Sequence, residues 1–486
     1  MSIRIASRFL LLPLFSLFLY ACGDSEPEQK GGQEQSGQKE AGQEEPRKRK
    51  LSIDLLDQIV LANELVVLTT NQPTTYYIDR DDKPAGPEFD MAQSFAQSLG
   101  VEARYIEYDS TEAVIEALRR GEGDIAAAGL TITAERQREF DFGPAYMDVS
   151  EYLVCHRDIP FIKDVEELRE REIVIPAETS YADTLYKEYP NVDWNPAPNL
   201  LTPALLEKVR NREVECTVSD STIFDINRRY YPEISVKFTL HKGSHLAWMY
   251  PKNNPRLDSA IHKWFTEYQE SGAHAQDSEK YYGHIEVFDY VDIQKFKRRI
   301  EKRLPKYKDW FIQAAEENGI RPALLAAQSY QESHWNPKAK SPTGVRGIMM
   351  LTQPVAKSLG VTSRLDAKQN IFAGAKYHAK MKNMFDENVT EPDRTWMALA
   401  AYNVGRGHFR DAQGLARKLG KSPYHWIDMK EVLPLLAEKK YYKDLRYGYA
   451  RGNEPVLYVT RIRDYDDILV LHFLDRLSAE KDTEEK

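Results

Sequence analysis

The feature that most limits what this chain can fold into is a change of hydrophobic period near residue 290. Before it, short apolar runs alternate with amphipathic stretches. Leu65-Val66-Val67-Leu68 reads as a buried strand, Phe89, Ala92, Phe95, Ala96 and Leu99 fall at helical spacing closed by Gly100, and residues 103–106 return as a strand. Asp109 and Glu112 are the expected capping pair of a helix that carries Val114, Ile115 and Leu118 and stops at Gly121, after which residues 124–128 start another strand. A second set runs from Ile173-Val174-Ile175 through Leu205, Leu206 and Val209 to Cys216 and Asp220. This alternation predicts α/β structure with largely parallel sheets in two lobes, and hence a cleft between them. Beyond about Asp292 helical spacing dominates to about residue 475, so the last third is expected to be mainly α. With 486 residues the chain is too long for one core. The expected division is an α/β domain over residues 51–290, an α-helical domain over 291–476 and a disordered tail over 477–486.

The N-terminus sets the compartment. Arg4 and Arg8 precede an apolar run from Phe9 to Leu19, broken only by Pro13 and Ser16, and Ala21 stands before Cys22. That run is short for a permanent span, which needs about 20 apolar residues, and reads as an export signal over residues 1–21. Leu19-Tyr20-Ala21-Cys22 resembles a bacterial lipobox. The resemblance implies a lipid on Cys22 and a membrane partner through it; plain secretion is the alternative. From residue 23 to residue 50 Gln, Glu, Gly and Lys prevail, too polar to bury a core, so residues 22–50 are read as a lipidated cysteine and a flexible tether. Its closing cations, Arg47 to Lys50, either touch lipid headgroups or are simply solvated.

A net charge of −9 and the lack of a basic stripe exclude a general nucleic-acid binder. Cys155 and Cys216 either pair in the oxidising space outside the cytoplasm or stay as buried thiols. No histidine stands near them at metal-ligand spacing, so no metal or other cofactor is expected.

The stretch from Ala128 to Tyr146, with Gly129, Thr131, Arg136, Phe140 and Pro144 in order, resembles the signature of periplasmic solute-binding proteins that capture amino acids. Such a ligand presents a carboxylate and an ammonium group, which call for a bidentate cation and an anion on opposite walls. The resemblance implies that Arg136 grips the carboxylate, that Gly129, Thr131, Thr179 and Ser180 add donors, and that Asp220 pairs with the ammonium group. The entry from Lys83 to Asp90 departs from the usual Gly-anchored form. Tyr76 and Tyr77 are read as a cleft wall or as core.

In the last third, residues 320–333 read as a helix with Pro322 in its first turn. At about 100° per residue Glu332 shares a face with Leu325 and Gln328, so an acid rides on a half-apolar face. Desolvation there raises its pKa and keeps a proton available for a glycosidic oxygen. No second acidic motif accompanies it, and a 2-acetamido sugar can supply its own nucleophile, so one carboxyl suffices.

Four ordered motifs follow: Glu332-Ser333 to Pro337, Ser341 to Thr352 with Gly344 and Gly347, Ala401-Tyr402-Asn403-Val404-Gly405, and Tyr458-Val459. They resemble those of soluble-lytic-transglycosylase domains, which have a lysozyme-like fold. With the solute-binding module and the lipobox, the chain is similar to the membrane-bound lytic murein transglycosylase F family. The resemblance implies a periplasmic-binding-protein-like domain before the catalytic one, Glu332 as acid and base, and Ser333 orienting it. It also implies Gly347, Met349 and Met350 shaping the groove floor, Tyr402 and Asn403 holding the sugar, and Tyr458 bonding near Glu332. Met350 stands where the wider superfamily has Gln. Packing is the competing reading for both methionines and both tyrosines; Tyr441, Tyr442, Tyr447 and Tyr449 either stack on sugars or form core.

The expected activity is nonhydrolytic cleavage of peptidoglycan strands between N-acetylmuramic acid and N-acetylglucosamine, leaving 1,6-anhydro ends, under control of an amino acid or muropeptide held by the first module. The expected site of action is the periplasmic face of the outer membrane of a Gram-negative bacterium. A water-using hydrolase of the same fold, a pure binding protein and a scaffold with a dead catalytic domain are the rival readings. The catalytic third counts against the second, and Glu332 with Ala401-Tyr402-Asn403 against the third.

Overall fold

Strand β1 (Glu64–Thr70) is inward-facing at alternate positions and then continuously buried, as a strand covered on both faces must be. It lies parallel to β2 (Glu102–Tyr108), Glu64 opposite Glu102, and to β3 (Ile125–Ala126). Between β1 and β2 runs helix α1 (Pro87–Leu99), which starts with proline in its first turn and ends at Gly100 in the left-handed region. Helix α2 (Thr111–Arg119) follows. Its cap is Ser110, whose hydroxyl accepts from the Ala113 amide at 3.1 Å, in place of the expected Asp109. Ser110 is the residue with extended backbone just before the first turn, which is where a capping side chain reaches the free amides.

A computed structural model describes residues 53–79, 83–177, 179–198, 200–285, 290–341 and 344–484. The export signal, Cys22 and the tether lie outside these.

The first sheet is completed by β4 (Phe140–Phe142), which leads to β5 (Met147–His156) in the second lobe. There follow β6 (Ile173–Pro176), β7 (Trp194–Ala197), helix α3 (Thr202–Arg210), β8 (Cys216–Asp220), helix α4 (Ser221–Arg228) and the long β9 (Ile234–Leu246). Strand β10 (Met249–Pro251) then returns to the first sheet. The strand orders are β2-β1-β3-β10-β4 and β9-β5-β8-β6-β7. Both sheets are mixed, not largely parallel. The departures come from the strands next to the lobe crossings: β5 and β9 pair antiparallel with three register shifts, and β10 pairs antiparallel with β3 and β4. A chain that leaves a lobe and re-enters beside its exit has to run back against itself.

Cys155 on β5 stands directly opposite Cys216 on β8, and the two form a disulfide with S–S 2.04 Å. Both are fully buried in the second lobe's core with Leu153, Ile173, Trp194 and Val218.

Helices α5 (Pro255–Glu270) and α6 (Ala273–Tyr282) close the α/β part. Helices α7 (Tyr290–Lys302), α8 (Lys308–Glu316), α9 (Pro322–Ser333), α10 (Ala367–Lys382), α11 (Asp393–Val404), α12 (Arg406–Lys418), α13 (Trp426–Val432) and α14 (Asn453–Glu484) build most of the rest. Residues 323–330 of α9 are all buried, so this helix is enclosed on every side, not half-apolar. Helix α14 runs through Glu484, so the tail expected to be disordered is helical almost to its end; its Leu, Ala, Glu and Lys are good helix formers. No described helix is long and apolar enough to cross a membrane.

The α/β and helical parts belong to one compact unit, Ile53–Lys486. Helix α6 is the main seam. Glu279 is paired with Arg463 of α14 at 3.0 Å and with Lys430 of α13 at 2.6 Å, and Arg463 also donates to the Glu279 and Lys280 carbonyls. Arg463 and Glu279 are each 6% exposed. Arg229, the residue after α4, reaches Asp467 of α14 at 2.5 Å.

The disulfide joins residues 61 apart in sequence, so it removes substantial freedom from the unfolded chain. The double substitution Cys155→Ser, Cys216→Ser is expected to lower stability by about 2–4 kcal/mol. Urea unfolding should show the wild type, but not the variant, losing stability on addition of reductant; coincident curves in both conditions would refute this.

Candidate active site

Helix α9 ends one residue after Glu332. His334 and Trp335 both take left-handed backbone angles, φ 54° and 55°, and the Trp335 indole donates to the Ala326 carbonyl at 2.9 Å, locking the stop. Phe296, Tyr330 and Tyr465 pack on the same cluster. Glu332 is therefore held at a helix C-terminus, where exposed carbonyls disfavour negative charge. Surrounding protein desolvates its carboxyl and pushes the pKa up to about 8, against a smaller opposite pull from the Tyr458 hydroxyl.

That hydroxyl donates to Glu332 Oε1 at 2.6 Å. Tyr458 Oη in turn accepts from Gln328 Nε2 at 3.2 Å, and Gln328 Oε1 meets His378 Nδ1 at 2.9 Å. Burial holds His378 down at about 4, so its ring is neutral and Nδ1 carries the proton that Gln328 accepts. Every donor in this chain points toward Glu332. Tyr458 was expected beside Glu332; Gln328 and His378 were missed as its supports. The signal for Gln328 was present, since it lies four residues before Glu332 on one face, but nothing in the sequence linked it to His378.

Opposite the helix lies the turn of residues 346–351. Gly347 has φ 93°, and a Cβ there would sit 2.0 Å from the Arg364 carbonyl, so only glycine fits. Asn370, fully buried on α10, accepts from the Met349 amide at 2.7 Å and donates to the Arg364 carbonyl at 2.9 Å. Ser333 was expected to orient Glu332. Its hydroxyl instead donates to the Ile348 carbonyl at 2.7 Å, as does that of Ser329 at 3.1 Å, so it ties the helix to the turn. The Tyr402 hydroxyl, expected on the sugar, donates to the Met349 carbonyl at 2.9 Å. Tyr402 nonetheless lies near Glu332, whose charge adds to burial in raising its pKa. Met349 is fully buried and packs against Gly374, which makes it core, whereas Met350 is half-buried with φ 49°. Asn403 is exposed at the end of α11.

Between the lobes of the α/β part lies a cavity of about 180 Å³ that Gln72, Gly129, Tyr146, Thr179, Asp220 and Tyr282 help to line. Asp220 ends β8 and caps α4, accepting from the Ile223 amide at 2.9 Å and the Thr222 hydroxyl at 2.6 Å. The Gly129 amide, expected to serve a ligand, donates at 3.0 Å to Glu88, a buried carboxyl that also receives the Tyr146 hydroxyl and that burial pushes up to about 7. Thr131 is buried where β9 ends, bridged to Leu246. Arg136 is not among the residues lining the cavity; its guanidinium donates to the Thr131 carbonyl at 3.1 Å. Ser180 opens the helix Ser180–Glu188. Tyr76 stacks on Tyr105, meets Phe89 edge-on and belongs to the core. Tyr282, at the end of α6, was missed because its helix lies beyond both lobes in sequence. Among the described residues no cluster of His, Cys, Asp and Glu is arranged to hold a metal.

Residues 64–284 match the family model of bacterial extracellular solute-binding proteins, family 3, and residues 309–425 match the transglycosylase SLT domain. The chain is 43% identical over 422 residues to membrane-bound lytic murein transglycosylase F 1 of Alkalilimnicola ehrlichii, covering 86% of this chain and 85% of that protein. It is 42% identical over 419 residues to membrane-bound lytic murein transglycosylase F of Maricaulis maris, covering 86% and 92%. Among solved structures, an ancestral arginine-binding protein bound to arginine aligns with 45% of this chain and 98% of its own, with a TM-score of 0.41 and 22% identity. Identity of this order over almost the whole length of both relatives makes the chain a member of the membrane-bound lytic murein transglycosylase F family.

Proposed function

We propose that this lytic murein transglycosylase cleaves the bond between N-acetylmuramic acid and N-acetylglucosamine with Glu332 as both acid and base. The observation that carries the reading is the desolvated Glu332 carboxyl, raised to about 8 and held by the Tyr458 hydroxyl. Protonated Glu332 gives its proton to the glycosidic oxygen as the bond from the muramic C1 breaks. The acetamido oxygen of the same sugar supports the positive charge at C1. The resulting carboxylate then takes the proton from the sugar's 6-hydroxyl as O6 bonds to C1, closing a 1,6-anhydro ring without water. A carboxylate at a helix C-terminus in a desolvated niche is a poor resting anion, which keeps Glu332 protonated for the first transfer and makes its carboxylate a stronger base for the second. Asn403, exposed beside the niche, is the residue assigned to the sugar's acetamido group, and Met350 to the groove floor.

Glu332→Gln is expected to lower sacculus digestion by about 10²–10⁴-fold, the usual worth of general acid catalysis. Mass spectrometry of wild-type products should show anhydromuramic ends; reducing muramic ends would establish a hydrolase instead. Wild-type turnover should fall as pH rises through about 8, since the acid must be protonated. A raised folded pKa also means that stability is fully present below the unfolded value of 4.5 and is lost up to about 8. Glu332→Gln should therefore melt progressively higher than wild type across that window, and a constant difference would contradict the burial argument.

The lipid on Cys22 is assigned as the anchor to the outer membrane, facing the periplasm. Cys22→Ala should release the protein into the soluble fraction; unchanged sedimentation with membranes would remove the assignment.

The solute-binding module is assigned a regulatory role, with an amino acid or muropeptide held between the lobes. Its physical support is α6, which brings Tyr282 to the cavity and Glu279 to Arg463 on the helix that carries Tyr458. A ligand that binds two states of the enzyme unequally should change digestion by about 5- to 150-fold. Calorimetry and sacculus digestion with muropeptides, in wild type and Asp220→Asn, check this. Binding that depends on Asp220 without any change in digestion rate would reduce the module to a targeting device.

A further inference from the structure

Helices α10 and α12 each present a pair of cations one turn apart, Lys376 with Lys380 and Arg406 with Arg410. The four side chains are exposed and line one open cavity of about 590 Å³, together with Asn318 and Asn383. No carboxylate lines it. None of the four makes an ion pair among the described residues, whereas their neighbour Lys382 is paired with Glu391 at 2.7 Å. In a chain of net charge −9, four unneutralised cations around one hollow are a local reversal of sign. Like charges one turn apart repel, and an anion that enters lowers that cost.

The hollow adjoins the niche of Glu332. Tyr377, next to Lys376, packs edge-on against Tyr402 with ring centroids 5.0 Å apart. Arg406 begins α12 directly after the turn that follows Tyr402 and Asn403, and lies near enough to Tyr377 for its charge to act on that hydroxyl. A glycan strand laid over Asn403 passes within three residues of Arg406, which lines the hollow.

We propose that this hollow binds the carboxylates of the peptide stem carried by the glycan strand. The inference rests on the glycan-cleaving reading above. In peptidoglycan the lactyl carboxyl is tied up as an amide, so the free anionic groups of a strand are on its peptides. Flexible Lys and forked Arg heads on two walls suit several carboxylates spread along an extended chain. A concave hollow of this volume falls in the range of about 300–1,000 Å³ typical of ligand pockets and fits a peptide better than a flat membrane surface.

The test compares the full-length protein with its Lys380→Gln, Arg410→Gln double variant on two soluble substrates: uncrosslinked glycan strands with intact stems, and the same strands stripped of stems by an amidase, with the lactyl carboxyls so freed capped as methylamides. On stem-bearing strands the variant should show an apparent KM at least about fivefold higher with kcat unchanged, and on stripped strands no change. Raising salt should raise the wild-type KM for stem-bearing strands alone, which keeps the test open if the variant folds poorly. Equal effects on both substrates, or none on stem-bearing strands, would overturn the proposal. So would a variant that loses binding to anionic lipid vesicles while cleaving both substrates as the wild type does, since the occupant would then be a membrane. Wild-type protein that cleaves neither substrate would instead defeat the glycan-cleaving reading itself.

Discussion

The helical part of this protein is organised around the desolvation of one half-buried carboxyl group, that of Glu332. Placing Glu332 at the closed end of a helix enclosed on all sides costs stability whenever the group is charged, and the surroundings offset that cost with a single strong donor, Tyr458. Holding that donor in place requires Gln328, and Gln328 requires a neutral His378. Three helices, α9, α10 and α14, are thereby fixed relative to one another by side chains that converge on one oxygen atom. The aromatic cluster of Phe296, Tyr330, Trp335 and Tyr465 does the complementary job of stopping α9 where Glu332 still faces the niche.

The turn across the niche is built by the same economy of polar groups. Each carbonyl and amide of residues 348–349 that points inward is satisfied by a side chain from a different helix: Ser329 and Ser333 from α9, Asn370 from α10 and Tyr402 from α11. A buried irregular backbone without such partners would be costly. This explains why residues that look like substrate contacts in sequence, Ser333 and Tyr402, spend their hydroxyls on the protein's own backbone. They shape the niche by fixing the turn.

The order of elements was readable from hydrophobic period, and Glu332 from its motif, because both are local signals. The α1 helix with Gly100 at its end and the parallel β1-β2 pair appear where spacing puts them. What escaped was set by contacts between segments distant in sequence. The antiparallel β5-β9 pair depends on where the chain recrosses between lobes, about 90 residues on, which no local window contains. Cys155 facing Cys216 depends on β5 pairing with β8 across 61 residues of sequence. In the cleft, only the fold brings Glu88, early in α1, to Gly129 and Tyr146, where it takes the amide that a ligand was expected to use. Arg136 was legible as a motif residue, but nothing in the sequence showed that its guanidinium donates to the Thr131 carbonyl five residues before it.

The seam between the two parts follows from the energetics of buried charge. Arg463 and Glu279 are both removed from water, and such a pair adds little net stability over apolar packing of the same volume. Breaking it, however, leaves an uncompensated charge, at a cost of about 3–5 kcal/mol. The pair therefore acts less as glue than as a register mark, since α6 and α14 can slide or rotate only by giving up several bonds at once. Arg463 makes this register tight: it binds the Glu279 carboxylate and two carbonyls of α6, and it stacks over Trp396 at 3.8 Å. Arg463 lies five residues after Tyr458 on one continuous helix, and Tyr282 lies three residues after Glu279 on the other. The cavity between the lobes and the carboxyl in the niche are thus joined by two rigid helices and one costly contact. Under the proposed regulation, a shift of Tyr282 would reach α14 through these two helices and that contact, with no flexible segment in between.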